Sequence, residues 1–258
     1  MHPRMRPDNA QQVDRWHDRF TRQAAWTEQI RSYLLAHLPR HPAARVLEVG
    51  CGTGVITRSL LSYAQTVCGL DLDTQFLRFA ARSVPGAHFT CGDALAMPFP
   101  GAAFDAVVCH FFLLWTAIPA QALAEMARVT RPGGTVIAFA EPDYGGRIDY
   151  PPPLDELGRL QAEGLRRQGA DPEIGRKLSG LFHVAGLREI ETGLLGGQWK
   201  GAPSPAERQS EWDVLANDLK GSLAPQQLDE LREIDAAAWA SGERVLFVPT
   251  FYAFGVKP

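Results

Sequence analysis

From Ala44 to Ala140 the chain alternates short apolar runs with amphipathic stretches, and this alternation restricts the fold more than any other feature of its 258 residues. ARVLEVG reads as a strand, VITRSLLSYAQ as a helix and TVCGLD as a second strand. TQFLRFAARSV is again a helix, with Asp73 or Thr74 as its cap, and HFTCGD is a third strand. FDAVVC is a fourth strand, PAQALAEMARV a helix opened by Pro119, and RPGG the turn into a fifth strand, TVIAFA. Strands alternating with helices predict an α/β fold, a mostly parallel sheet with helices on both faces. Ligands of such sheets bind beyond the carboxyl ends of the strands. The positions to search are therefore Gly50 to Gly54, Asp71, Asp93, His110 and Glu141 to Tyr144.

Composition decides how much chain surrounds that core. With 45% apolar and 21% charged residues, the sequence supports one globular domain with an elaboration. No apolar run approaches the roughly 20 residues of a membrane helix. The N-terminal MHPRMRPDNAQQ lacks the apolar centre of a secretory signal, so a cytoplasmic location is expected. A net charge of −3, with arginines set among acids as in LREIET and LDELREID, argues against a nucleic-acid partner. Cys51, Cys68, Cys91 and Cys109 form no CxxC pair, so they read as reduced thiols and no metal site is expected.

The stretch VLEVGCGTG, Val46 to Gly54, then narrows the ligand. A dinucleotide fingerprint in register from Gly50 would end in glycine or alanine, whereas this chain has Val55. Glu48 also adds negative charge where a pyrophosphate would approach the helix N-terminus. A phosphate-free cofactor carrying positive charge fits better. S-adenosylmethionine has an ammonium, a sulfonium and no phosphate; its ribose calls for a carboxylate and its adenine for a polar edge contact.

On these residues the sequence resembles the class I S-adenosylmethionine-dependent methyltransferases, especially the small-molecule branch similar to the ubiquinone and menaquinone enzymes. The resemblance runs from about Ala44 to Ala140 and implies a Rossmann-like, seven-stranded, mostly parallel sheet. Glu48, Gly50, Cys51, Gly52, Thr53 and Gly54 match the family's acid-x-G-x-G-x-G motif, which lies under the methionine part of the cofactor. Asp71, 21 positions after Gly50, matches the acid that binds the ribose hydroxyls, with Leu72 beside it. Asp93 in CGDALAMPF matches the acid at the adenine amino group, followed by Ala94. FDAVVCHFFLLW matches the fourth-strand motif and puts His110 beside the transferred methyl, as a cofactor contact and a candidate catalytic residue. Relatives carry a histidine near the position of Leu114, and this chain does not. It also has no proline-cysteine pair after the fourth strand and no Asn/Asp-Pro-Pro-Tyr, which speaks against cytosine C5 and adenine or glutamine amide methylation.

The ends of the chain are expected to carry acceptor choice. Residues 1–43 read as a helical cover, in which Phe20 and Trp26 serve equally as lid or core; residues 44–145 are the cofactor-binding core. In residues 146–258, LREIETGLL and VPTFYAFGV complete the sheet as an antiparallel pair, and helices over about 203–241 interrupt that pair. This insertion reads as a cap over the acceptor pocket, with surface decoration as its alternative. EPDYGGRIDYPPP is expected to be a loop near the acceptor. If the acceptor must lose a proton, His110, Asp143, Tyr144 and His183 are the available bases in falling order, so His110 and Tyr144 stand as catalytic candidates. Tyr144, Tyr150, Trp199, Trp212 and Trp239 point to an aromatic or apolar small-molecule acceptor. Two other functions fit the same motifs: a non-catalytic S-adenosylmethionine-binding regulator, and a transferase of another group.

Overall fold

The computed structural model describes residues 10–36, 38, 44–195 and 202–258. Five strands run parallel, β1 (Arg45–Val49), β2 (Thr66–Asp71), β3 (His88–Cys91), β4 (Phe104–Cys109) and β5 (Thr130–Pro142), with helices in every connection but that from β3 to β4, which is a loop. Two more strands, β7 (Arg188–Leu195) and β9 (Thr250–Val256), run antiparallel to their neighbours. The order is β3-β2-β1-β4-β5-β9-β7, so chain direction across the sheet reverses between β1 and β4. That reversal opens a crevice at the carboxyl ends of β1 and β4. The seven-stranded, mostly parallel α/β sheet is the predicted architecture. The RPGG turn lies within β5, whose register against β4 shifts between Phe104 and Ala106.

Strand alternation sends neighbouring residues into opposite layers. Leu47, Val49, Val107 and Cys109 pack with Leu123 and Met126 of α5 (Pro119–Val129) and with Leu178 and Phe182 of α7 (Leu178–Val184). Val46, Ala106 and Val108 face the other layer. That layer holds Ala24 of α1 (Ala10–Trp26), Ile30 and Leu34 of α2 (Glu28–Leu35), and Ile56 and Leu60 of α3 (Val55–Leu60). Between β2 and β3 runs α4 (Thr74–Ser83), whose N-cap Asp73 accepts from Gln75 and Phe76 N–H at 2.8 and 3.2 Å.

A third apolar cluster stands apart from both layers. Leu154, Leu157 and Leu160, at the start of and along α6 (Leu157–Arg167), pack with Trp212, Leu215 and Leu219 from the inserted α8 (Pro205–Asp218) and the turn after it. Leu228, Leu231 and Ile234 of α9 (Pro225–Ser241) close it. The stretch EPDYGGRIDYPPP, expected to be a loop, instead contains β6 (Ile148–Tyr150), paired antiparallel with β8 (Val245–Phe247) just after α9. Strand propensity over three residues is too weak to see in sequence; the pairing exists because α9 returns the chain to that place. Buried ion pairs pin the unit: Arg244 donates to Asp149 and Asp235 at 2.6 Å each, and Arg147 is bidentate on Asp149 at 2.6 and 3.0 Å. Trp212 is buried, its Nε1 donating to Asp235 at 2.9 Å, so its ring is core. No helix among the described residues is long and apolar enough to cross a membrane.

Candidate functional site

The turn after β1 is built by three left-handed glycines, Gly50 (φ 72°), Gly52 (φ 50°) and Gly54 (φ 81°), conformations that a Cβ disfavours. Space reinforces the choice: a Cβ on Gly50 would lie 2.4 Å from the Phe112 ring, and one on Gly52 2.9 Å from the Phe20 ring. Asp71, at the end of β2, fastens this turn. Its Oδ2 accepts from Gly52 N–H at 2.8 Å and its Oδ1 from Asp73 N–H at 2.9 Å. A carboxylate offers about four acceptor positions, so two remain for a ligand. Burial raises the Asp71 carboxyl above its ordinary value, and the two N–H donors oppose that rise.

Glu48 shares the face of Val46 and is 2% exposed. Its Oε2 accepts from the Thr57 hydroxyl of α3. Burial pushes its carboxyl up to about 8; the Thr57 hydrogen bond opposes this and nearby Asp71 adds to it.

His110, beyond β4, falls on the same face as Val108 and Glu48, and so meets the joint between α1 and α2. Thr27 Oγ1 lies 2.8 Å from His110 Nε2 and 2.6 Å from Arg31 Nη1, and contacts the Gln23 and Ala24 carbonyls at 3.1 and 3.3 Å. Burial, then the Arg31 charge, push the His110 imidazole down to about 3. A neutral ring results. The Nε2 of this ring is engaged by the Thr27 hydroxyl, which also contacts Arg31.

The next residue, Phe111, takes a positive φ of 49°, unfavourable for a bulky side chain, and so turns the chain beneath the crevice. There the N–H groups of Phe112, Leu113 and Leu114 donate to buried Glu141 at 2.9, 2.9 and 3.2 Å. Burial pushes the Glu141 carboxyl up to about 7 against those three donors.

These elements enclose a cavity of about 330 Å³. Glu48, Gly50, Cys51, Gly52, Asp71, Leu72, Asp93, Ala94 and His110 line it, so most of the sequence candidates meet in one place. Thr53 and Gly54 stand behind it: Thr53 Oγ1 is 2.9 Å from His17 Nδ1 of α1, and Gly54 precedes α3. Burial pushes the Cys51 and Cys109 thiols well up, which leaves them unreactive.

Other candidates stand elsewhere. Tyr144 is partly buried, its phenol pushed up to about 12 by burial, with Arg19 opposing. Asp143 is held by Arg176 at 2.5 and 2.7 Å. His183 is exposed on α7, bonded to the Ser179 carbonyl at 2.9 Å. Tyr150 and Trp26 are 47% and 60% exposed, Trp239 lies partly buried on α9, and Trp199 lies outside the described residues. Among the described residues, none of those lining the cavity belongs to 203–241. Residues not singled out in the sequence also contribute, namely Trp16, Arg19 and Gln23 of α1, and Phe112 and Trp115, beside Phe20, which was expected as lid or core. Helical spacing held the signal: Trp16, Phe20, Gln23 and Thr27 follow at intervals of four, three and four along one face. Among the described residues no group of three or more histidine, cysteine or acidic side chains could hold a metal.

Comparisons with known proteins bear on the domain and the fold. Residues 47–138 match a family model described as a methyltransferase domain. The chain is 40% identical over 106 residues to a demethylmenaquinone methyltransferase of Renibacterium salmoninarum, covering 40% of this chain and 45% of that protein. It is 29% identical over 227 residues to a malonyl-[acyl-carrier protein] O-methyltransferase of Erwinia pyrifoliae, covering 81% and 86%. With the first of these the match thus spans less than half of the relative's length. Among solved structures, a phosphoethanolamine N-methyltransferase of Haemonchus contortus, in complex with S-adenosylhomocysteine, superposes with a TM-score of 0.58 at 16% identity, covering 92% of this chain and 57% of that one. Over residues 47–138, therefore, this chain resembles a methyltransferase domain, and its sheet has the Rossmann-like fold of the solved methyltransferase on which it superposes.

Proposed function

We propose that this protein transfers a methyl group from S-adenosylmethionine to a small-molecule acceptor. The observation that carries the reading is the charge pattern of the cavity: Glu48, Asp71 and Asp93 stand at the ends of three adjacent strands around a turn with no room for side chains. In this reading Asp71 takes the ribose hydroxyls and Asp93 the adenine amino group. Glu48 faces the ammonium, and the backbone from Gly50 to Gly54 lies under the methionine part. When bound, the cofactor supplies an electrophilic methyl on a sulfonium, open to in-line attack. The protein's task is to align the acceptor and exclude water.

The base candidates bear on the acceptor. His110, held near 3, takes no proton at neutral pH; Tyr144 keeps its own; Asp143 is tied to Arg176. His110 then acts through its position, its Nε2 held by Thr27. The acceptor brings its own nucleophile, as a carboxylate or free amine does. Of the acceptors named for the relatives, a malonyl group methylated on oxygen meets that condition without a base. Its approach is from the side of Tyr144, where Glu211 of α8 lies in the field of Arg19, Arg22 and Arg147. This is how the insertion would act as a cap.

Incubation with S-adenosylmethionine and a panel of carboxylate, amine and quinol acceptors, with S-adenosylhomocysteine as readout, tests the reading. Turnover with one acceptor class is expected. Tight binding of NAD with no affinity for S-adenosylhomocysteine would overturn it.

A further inference from the structure

Among the described residues lining the cavity, the acidic side chains are Glu48, Asp71 and Asp93, and the one cation is Arg19. Arg19 belongs to α1, and its guanidinium carbon lies over the Trp16 ring, 5.1 Å from its centroid, within the reach of cation–π attraction. It makes no salt bridge among the described residues, whereas Arg31, on the following helix, spends its donors on Thr27 and the Ala24 carbonyl. Five N–H donors in a planar fork therefore stand at the cavity wall with an aromatic face as their partner.

The place of Arg19 along the cavity follows from its neighbour. Phe20, the next residue, touches the turn at Gly52, so this part of α1 lies over the turn between β1 and β2. The ends of β2 and β3, with Asp71 and Asp93, occupy the other side. A ligand with its ribose at Asp71 and its adenine at Asp93 turns its amino-acid end toward β1, β4 and α1. That end is a zwitterion. Glu48, once ionised by its ammonium, repels its carboxylate, as do Asp71 and Asp93, so the carboxylate needs a cation that the motif residues do not supply.

We infer that Arg19 binds the α-carboxylate of the cofactor, as a bidentate pair beside the Trp16 ring, and that it thereby selects ligands with an intact amino-acid end. This inference rests on the cofactor reading above. The field of Arg19 also reaches Tyr144 and Glu211 on the acceptor side, so an acceptor carboxylate is the other source of the same chemistry.

The test pairs Arg19→Met, which keeps the apolar stem, and Arg19→Lys with two ligands, S-adenosylmethionine and its decarboxylated analogue, in calorimetry on the full chain. Wild type is expected to bind the carboxylated ligand about tenfold or more tightly than the analogue, the scale of a charge-assisted pair. Arg19→Met should lose that preference by weakening only the carboxylated ligand, and Arg19→Lys should restore part of it. Equal weakening of both ligands, or unchanged affinity for both, would overturn the assignment. Unchanged cofactor affinity with a raised acceptor KM would assign the cation to an acceptor carboxylate instead and overturn it too. A wild type that binds neither ligand would sink the cofactor reading itself, which the behaviour of the variants alone cannot do.

Discussion

At the residue scale, burial sets the chemistry of the site through two opposite shifts. Glu48 is raised to about 8 and His110 lowered to about 3, each because its charged form is poorly solvated. A carboxyl raised on folding contributes stability that is full below its unfolded value and lost as pH rises through its folded value. A histidine lowered on folding contributes stability that is present above its unfolded value near 6.5 and lost as pH falls. Between about pH 6.5 and 8 the histidine contribution is constant, and the loss from Glu48, with the last of that from Glu141, remains. Unliganded protein should therefore melt at lower temperature at pH 8 than at pH 6.5, and Glu48→Gln should flatten that slope; equal slopes in differential scanning fluorimetry would refute the assignment. Cofactor binding at pH 7 should release close to one proton as the ammonium ionises Glu48, visible by calorimetry in buffers of different ionisation enthalpy. Asp71→Ala removes the tie to Gly52 N–H and, in the proposed reading, the acceptor of the ribose hydroxyls, so affinity for S-adenosylhomocysteine should fall about tenfold or more.

At the scale of elements, α1 and α2 act as one cover hinged at Thr27. The hydroxyl of this buried residue joins the helix pair to His110, 83 residues away in sequence. Thr27→Val keeps the shape and strands Nε2 of His110 and one Arg31 donor. A loss of about 1–3 kcal/mol of stability is expected, with Thr27→Ser near wild type. Urea unfolding measures it, and a Thr27→Val variant as stable as wild type would show that this hydroxyl does not fasten the cover. The same logic explains the glycine turn. Gly52→Val would need a left-handed valine whose Cβ meets Phe20 of α1, so cofactor binding should be abolished while the strands keep their pairing, as calorimetry and circular dichroism would report.

Across the whole molecule, the insertion and the cofactor cavity are built as separate units. The cavity takes its walls from α1, the strand ends and the loop after β4, whereas α8 and α9 spend their apolar faces on α6, and Asp235 of α9 pairs with Arg244. Asp149 is fully buried between Arg147 and Arg244, so Asp149→Ala leaves two buried guanidiniums with a lost partner. Such a change is expected to cost about 3–5 kcal/mol. Affinity of the folded protein for S-adenosylhomocysteine should shift by less than about twofold, because distant sites act independently. A large loss of cofactor affinity would show that the appended unit holds the cavity in shape.

What the sequence determined by itself is whatever depends on near neighbours along the chain. The periods of two and 3.6 marked the strands and helices of the core, and Asp73 capped α4 where it was expected to. Three glycines in five positions specified a left-handed turn, because that conformation is a property of the residue. The acids at the ends of β1, β2 and β3 were legible because a parallel sheet brings successive strand ends to one edge. Tertiary structure alone decided the rest. Tyr150 pairs with Val245, Thr27 with His110, and Arg244 with Asp149, contacts that no local pattern encodes. Trp212 looked like an acceptor contact and is core, since an aromatic residue carries the same composition signal in either role. Arg19 was one arginine among many until folding laid α1 across the turn, and the same folding set half-buried His110 against Thr27 and beside the Arg31 charge, where burial and then that charge lower its imidazole. Charge and proton affinity depend on what surrounds a group in space, and for this chain those surroundings come from segments far apart in sequence.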